Sequence, residues 1–195
     1  MKKKILEIAK QNNGYVTRKK LTENNIPTIN LTRLVKEGQL IRVYKGIYLL
    51  KGYIEDMFYI YNEVYSKIVY TRETALYLNG MSNRQFTYYS AALPFNTTTP
   101  KIKNFKFFKT RKETFNLGIE QVRTSYGNLV RCYDKERCIC DLFIYDDYDY
   151  DYEDRVYAIN EYINNYLDLE KLYRYARRLN IYSKVKSVFE VIGWN

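Results

Sequence analysis

Twelve lysines and arginines stand against three glutamates in the first 52 residues, a net +9 of the +10 carried by the whole 195-residue chain. A stretch so dominated by one sign folds only if its apolar residues recur at a period that turns the cations outward. The remaining residues are close to neutral as a unit, although 46% of the whole chain is hydrophobic, enough to build a core. This asymmetry predicts two domains, a basic module over residues 1–52 and a larger one over 53–195.

The basic stretch has the required period. Ile5, Leu6, Ile8 and Ala9 form the apolar stripe of a helix from about Lys3 to Gln11, and Gly14 follows its end. Thr17 is placed to cap a second helix, with Val16 and Leu21 as a hydrophobic staple across its start. That helix stops near Asn24-Asn25, and Ile26-Pro27 turns the chain into a third, capped by Thr28 and closed by Gly38. Leu31, Leu34 and Val35 face the core, which leaves Ile29, Arg33 and Lys36 on the opposite face, flanked by Thr32 and Glu37. Two β-type runs, Leu40 to Tyr44 and Ile47 to Leu50, then flank a Lys45-Gly46 turn.

Three helices and a hairpin make the plan of a winged helix-turn-helix, whose third helix enters the major groove while the wing lies along the backbone. On that plan Arg33 and Lys36 are groove or phosphate contacts, and Thr32 and Asn30 are shorter polar readers. Thr17, Arg18, Lys19, Arg42 and Lys45 are expected on phosphate. Ile29 either packs on the second helix, the favoured expectation, or touches a thymine methyl. The alternative use of the same shape is a protein–protein module with a solvated basic face.

The larger module reads as α+β, an antiparallel sheet followed by a helical C-terminal half. A linking helix is expected from Tyr53 to about Ser66, and a short one from Arg72 to Asn79 before Gly80. Strands are expected at Phe86 to Ala91, Phe105 to Lys109 and Ile119 to Thr124, the last pairing through Tyr126-Gly127-Asn128 with Leu129 to Cys132. Helices should then cover Lys135 to Phe143, Arg155 to Asn165, Asp168 (as cap) to Leu179, and Ser183 to Ile192. Lys101, Lys103, Lys106, Lys109, Arg111 and Lys112 make the sheet region basic. They are either an extension of the DNA footprint or a solvated strand face. The acid and tyrosine run from Tyr145 to Asp154 is expected to be a surface connection, with cation binding or docking to a basic partner as the other reading.

Several classes of chemistry are disfavoured by residue type. With no histidine, there are no Ser-His or Cys-His nucleophile pairs and no imidazole ligands. Cys132, Cys138 and Cys140 are too few for a four-thiolate zinc site, and they read as small buried residues. No Asp or Glu is followed two residues later by Lys, as a metal-dependent nuclease would want, and no phosphate-cradling glycine loop occurs. Glu73, Glu136 and Asp141 are expected to hydrogen-bond structurally, so neither an enzyme nor a cofactor is expected. Met1-Lys2-Lys3-Lys4 leads directly into an amphipathic pattern and no run reaches the roughly 18 apolar residues of a membrane span. The expected location is cytoplasmic, with no membrane partner.

Three segments in order carry a family resemblance. They are Leu40-Ile41-Arg42-Val43-Tyr44-Lys45-Gly46-Ile47-Tyr48 at the end of the basic head, Val69 to Ser82 (VYTRETALYLNGMS), and Lys135 to Phe143 (KERCICDLF). Together they resemble the AbiEi antitoxins of type IV toxin–antitoxin, abortive-infection systems. Where many relatives carry histidine, Thr71, Arg72 and Asn79 stand here. The resemblance implies a functional partner, an AbiEii-like nucleotidyltransferase toxin that is not held in a stable complex. It also implies that the head represses the shared promoter by binding inverted repeats in double-stranded DNA, while the C-terminal module neutralises toxicity. Inverted repeats call for two copies on DNA, from a protein that is a monomer or weak dimer in solution. A second reading is an interaction protein acting on the toxin or its substrate, with DNA binding secondary.

Overall fold

The apolar stripes of the head are realised as three helices around one cluster of side chains. Residues 1–84, 86–145 and 151–192 are described in a computed structural model, and the chain divides into two units. The first comprises Met1–Tyr65 with Arg123–Val130, so it runs past Gly52 and takes in a distant segment; the second comprises Ser66–Val122 with Arg131–Asn195.

In the first unit, α1 (Lys2–Gln11), α2 (Arg18–Glu23) and α3 (Ile29–Lys36) enclose Ile5, Ala9, Val16, Leu21, Leu31 and Leu34. A short strand β1 (Tyr15–Thr17), unmarked by any alternation in the sequence, pairs antiparallel with β3 (Ile47–Leu50). On its other side β3 pairs with β2 (Leu40–Tyr44), giving a three-stranded sheet in the order β1-β3-β2. Gly14 makes the entry into β1 possible: its φ is +86°, and a Cβ there would lie 2.5 Å from the Tyr53 ring. Val16 and Leu21 meet in the core as the expected staple. Asn25, with φ +54°, ends α2 by letting the Ile26 N–H reach the Leu21 carbonyl at 2.8 Å.

The linking helix begins later than Tyr53. It is α4 (Met57–Val64), because Asp56 caps it by accepting from the Tyr59 N–H at 3.3 Å. The same fully buried carboxylate accepts from Thr124 Oγ1 at 2.6 Å and Asn128 Nδ2 at 2.8 Å, and the Asp56 N–H donates to Tyr15 Oη at 2.6 Å. Asp56 thus ties residues 123–130 to the rest of the first unit. Burial pushes the Tyr15 phenol up to about 12, with the Asp56 N–H bond opposing the shift.

A five-stranded sheet in the order β6-β5-β4-β8-β7 lies mainly within the second unit. Its strands are β4 (Val69–Tyr70), β5 (Tyr89–Pro94), β6 (Phe105–Thr110), β7 (Ile119–Arg123) and β8 (Leu129–Tyr133). The sheet is mixed, which corrects the expected antiparallel arrangement: β4–β5 is antiparallel, whereas β5–β6 and β4–β8 are parallel. The physical reason is the two-residue β4, too short to show alternation, which enters between β5 and β8. The connection 95–104 meanwhile carries the chain back so that β6 runs alongside β5. β5 also sits three residues later than expected, since buried Ala91, Ala92 and Leu93 form a strand covered on both faces.

Helices α5 (Arg72–Leu78), α6 (Lys112–Phe115), α7 (Lys135–Ile144), α8 (Tyr152–Asn165), α9 (Leu169–Arg178) and α10 (Tyr182–Ile192) complete the unit. The Asp168 cap forms as expected, accepting from the Lys171 N–H at 2.9 Å. α7 is the most deeply set, with Glu136 to Leu142 all buried. On it Arg137 Nε pairs with Asp141 Oδ1 at 2.8 Å, while Arg137 Nη1 donates to the Thr114 and Leu117 carbonyls at 2.6 and 3.1 Å. Burial pushes the Asp141 carboxyl upward against the opposing pull of Arg137 and Arg72. The three thiols are free and buried, in keeping with a packing role. Among the described residues no helix is long and apolar enough to cross a membrane, and no group of acids and cysteines is placed to hold a metal ion.

Replacing Asp56 with Ala should lower the stability of the first unit by about 3 kcal/mol, the cost of orphaning buried polar partners of a carboxylate. Thr124→Val should cost about 1 kcal/mol. Urea unfolding of both variants checks the order; equal, negligible losses would contradict the anchoring role.

Candidate nucleic-acid interface

The exposed surface of α3 follows directly from its buried one. Leu31 and Leu34 are fully buried, so Thr32, Arg33 and Lys36 project into solvent. Ile29, at 59% exposure, lies on the same outward side and not against α2. The expected packing role is therefore not realised, because the α2–α3 turn places Ile29 ahead of the helix's buried stripe. Glu37 is drawn into a pair with Lys2, and Glu23 approaches Lys19 at 4.0 Å. Two of the head's three acids are thus engaged. No salt bridge occupies Arg18, Arg33, Lys36, Arg42 or Lys45 among the described residues.

The turn of the β2–β3 hairpin lies beside the start of α2. Gly46, at φ +81°, closes the two-residue turn, and its carbonyl accepts from the Arg18 N–H at 2.8 Å. Lys45 on the turn and Arg18 and Lys19 on the first turn of α2 are exposed around that junction. Arg42 is exposed on β2 at the register position facing Tyr48. The pairing shifts between Arg42 and Tyr44, a bulge that increases the local twist. Tyr44, half-exposed near the turn, is hydrogen-bonded to Tyr65, whose phenol is pushed up to about 12 first by that bond and then by burial.

Two residues expected at the interface are used inside the fold. Thr17 is 6% exposed, and its hydroxyl accepts from the Lys20 N–H at 3.1 Å as the cap of α2. Asn30 is 8% exposed, on the inner side of α3 beside Leu31. Capping was foreseen for Thr17, and it leaves little of the side chain for a phosphate. Ile29 is an exposed apolar side chain on the cationic face of α3.

The six cations of the sheet region do not share one face. Along β6, Lys106 lies on the side of Phe108, and Lys109 on the side of Phe105 and Phe107. Lys106 Nζ stands 5.2 Å from the Tyr88 ring, at a cleft of about 360 Å³ also lined by Glu73, Ser90 and Arg84. Arg84 is paired with Asp151, Glu153 and Asp154 at 3.1, 2.8 and 3.1 Å. The basic partner of the acidic run, as far as that run is described, thus belongs to the same unit. Residues 146–150 of the run lie outside the described residues. Thr71, Arg72 and Asn79 are all buried. Thr71 Oγ1 donates to Asp141 at 3.3 Å, Asn79 Nδ2 donates to the Tyr133 carbonyl at 2.9 Å, and the Arg72 guanidinium lies 3.5 Å from the Phe108 ring centre and 3.9 Å from that of Tyr145.

Residues 3–51 match the family model described as "Transcriptional regulator, AbiEi antitoxin". Over these residues, a quarter of the chain, the basic head is similar to the AbiEi regulators. The match begins in α1 and ends just after β3, so it covers the helices and hairpin that carry the outward cations. The chain is similar in fold to the crystal structure of the RV2827C protein from Mycobacterium tuberculosis. The TM-score is 0.55 at 13% sequence identity, over 89% of this chain and 69% of that one. No curated protein matches the sequence.

If Thr17 serves the head as a cap, Thr17→Ala should cost about 1 kcal/mol of stability. Arg33→Ala, at an exposed position, should stay within about 0.5 kcal/mol of the parent. Thermal or urea melts separate the two; the reverse order would contradict the assignment of inner and outer faces.

Proposed function

We propose that the protein is the antitoxin and DNA-binding transcriptional regulator of a type IV toxin–antitoxin, abortive-infection pair, with the head acting as a winged helix-turn-helix. The observation that carries the DNA reading is the outward face of α3, where Thr32, Arg33 and Lys36 lie opposite fully buried Leu31 and Leu34. The hairpin turn beside α2 supports it, and so does the family match. In this reading α3 enters the major groove of double-stranded DNA with Arg33 toward base edges, and Thr32 and Lys36 beside it. Ile29 is free to meet a thymine methyl. Arg18, Lys19, Arg42 and Lys45 neutralise phosphates on the flanking backbone.

The regulatory role follows from what such a head does at its own promoter. Two copies, from a monomer or weak dimer, occupy inverted repeats and repress the operon. The second unit, 66–122 with 131–195, is proposed as the antitoxic part, opposing an AbiEii-like nucleotidyltransferase toxin without a lasting complex. No enzymatic step is assigned to it.

A salt titration against the protein's own promoter duplex tests the DNA reading. A head neutralising roughly six phosphates gives a slope of log affinity against log salt near −5. Arg33→Ala should lose about 1–3 kcal/mol on the promoter and relax discrimination at one base pair. A slope near zero, or no binding in dilute buffer, would remove the proposal's foundation. Equal loss on promoter and random duplex would make Arg33 a phosphate contact.

A further inference from the structure

The edge of the second unit's sheet combines two properties that a duplex-binding surface does not need together. Residues 101–112 hold six cations and no acid, all six of them exposed. Among them runs β6, the edge strand, with rings on one face. Parallel pairing puts Tyr89 beside Phe105 and Ala91 beside Phe107, so Tyr89, Phe105 and Phe107 point to the same side. Their rings form a near-parallel row: Tyr89 to Phe105 at 5.1 Å and 17°, Phe105 to Phe107 at 5.2 Å and 16°. The row continues edge-on through Phe86 at 5.3 Å.

All three rings of the row are only partly buried. Water-exposed aromatic area at a sheet edge is costly unless something covers it. A duplex offers phosphates to the lysines but keeps its base faces stacked inside, where none can stack on Phe107. Unpaired nucleobases have faces to stack, and their backbone carries the complementary charge. We propose that this edge is a docking surface for single-stranded RNA, whose unpaired bases stack on aromatic side chains.

The geometry assigns parts to individual residues. Rings about 5 Å apart leave no slot between them, so a base extends the row and does not insert into it. The row ends at Phe107, whose outer face has no further ring partner among the described residues. Phe107 is therefore the stacking residue. Lys109 follows on the same face, its ammonium held by the Thr97 carbonyl, and meets phosphate beside the stacked base. Lys103 and Arg111, exposed just before and just after the strand, track the backbone in either direction. This surface shares no residue with the proposed duplex contacts of the head.

Fluorescence anisotropy with the full chain tests it, using a labelled adenine-rich 12-nucleotide RNA, the same sequence as single-stranded DNA, and a random DNA duplex. RNA binding is expected in dilute buffer and should weaken about tenfold in Phe107→Ala, with Phe107→Tyr retaining it. Lys109→Glu, at an exposed position and therefore safe for folding, should weaken RNA binding several-fold without altering duplex binding. Arg33→Ala with Lys36→Ala should leave RNA binding intact. The proposal is overturned if RNA does not bind, or if single-stranded DNA binds more tightly. It also fails if Lys109→Glu has no effect, or if the β6 variants weaken duplex and RNA equally.

Discussion

The rotation of α3 about its own axis is the constraint on which the rest of the head depends. Leu31 and Leu34 are three residues apart and both fully buried, and each contributes roughly 1.5–3 kcal/mol when removed from water. Turning the helix to hide Arg33 or Lys36 would expose both leucines. Repulsion between exposed cations is worth far less per pair in water and salt. Burial therefore decides the orientation, and charge accumulates on the face that is left. The hairpin follows the same logic: Leu40, Tyr48 and Leu50 are buried against the helices, and Arg42 and Lys45 toward the turn remain exposed.

The second unit is organised around buried charge. Arg137 and Asp141 sit one turn apart on α7, both nearly inaccessible, and the guanidinium also donates to two backbone carbonyls. Arg72, whose φ of +51° is a left-handed conformation uncommon for a residue with a Cβ, places its guanidinium between the Phe108 and Tyr145 rings. A buried pair of this kind adds little net stability over an apolar substitute, because desolvation offsets the attraction. Breaking it by removing one partner is costly, so it fixes how α5, α6 and α7 are arranged. Asp134 and Glu136 extend the network through Lys171 at 3.1 and 2.6 Å, holding α9 to the start of α7.

Much of the head was legible because each signal was local. The stripe of α1, the Thr17 cap, the Val16–Leu21 staple and the Lys45-Gly46 turn depend on residues within a few positions of one another. The features that were not legible depend on distant partners. β1 and β4 are strands only because β3 and β5 lie beside them, and neither is long enough to show a period of two. The mixed sheet could not be read from the strands, since direction is set by connections whose path leaves no pattern. Asp56 looks like an ordinary acid in a linker, yet residues nearly seventy positions away complete its shell. Ile29 is exposed and Asn30 buried, the reverse of the expected packing and outward positions, because one residue of phase at a helix start rotates a side chain by 100°.

Amide hydrogen exchange of the full chain, with and without its promoter duplex, tests most directly whether the cationic face of the head grips DNA. Slowed exchange is expected over residues 29–36 and 44–47 when duplex is present, strongest at low salt. Slowed exchange confined to residues outside the head, with α3 and the hairpin turn unchanged, would contradict it.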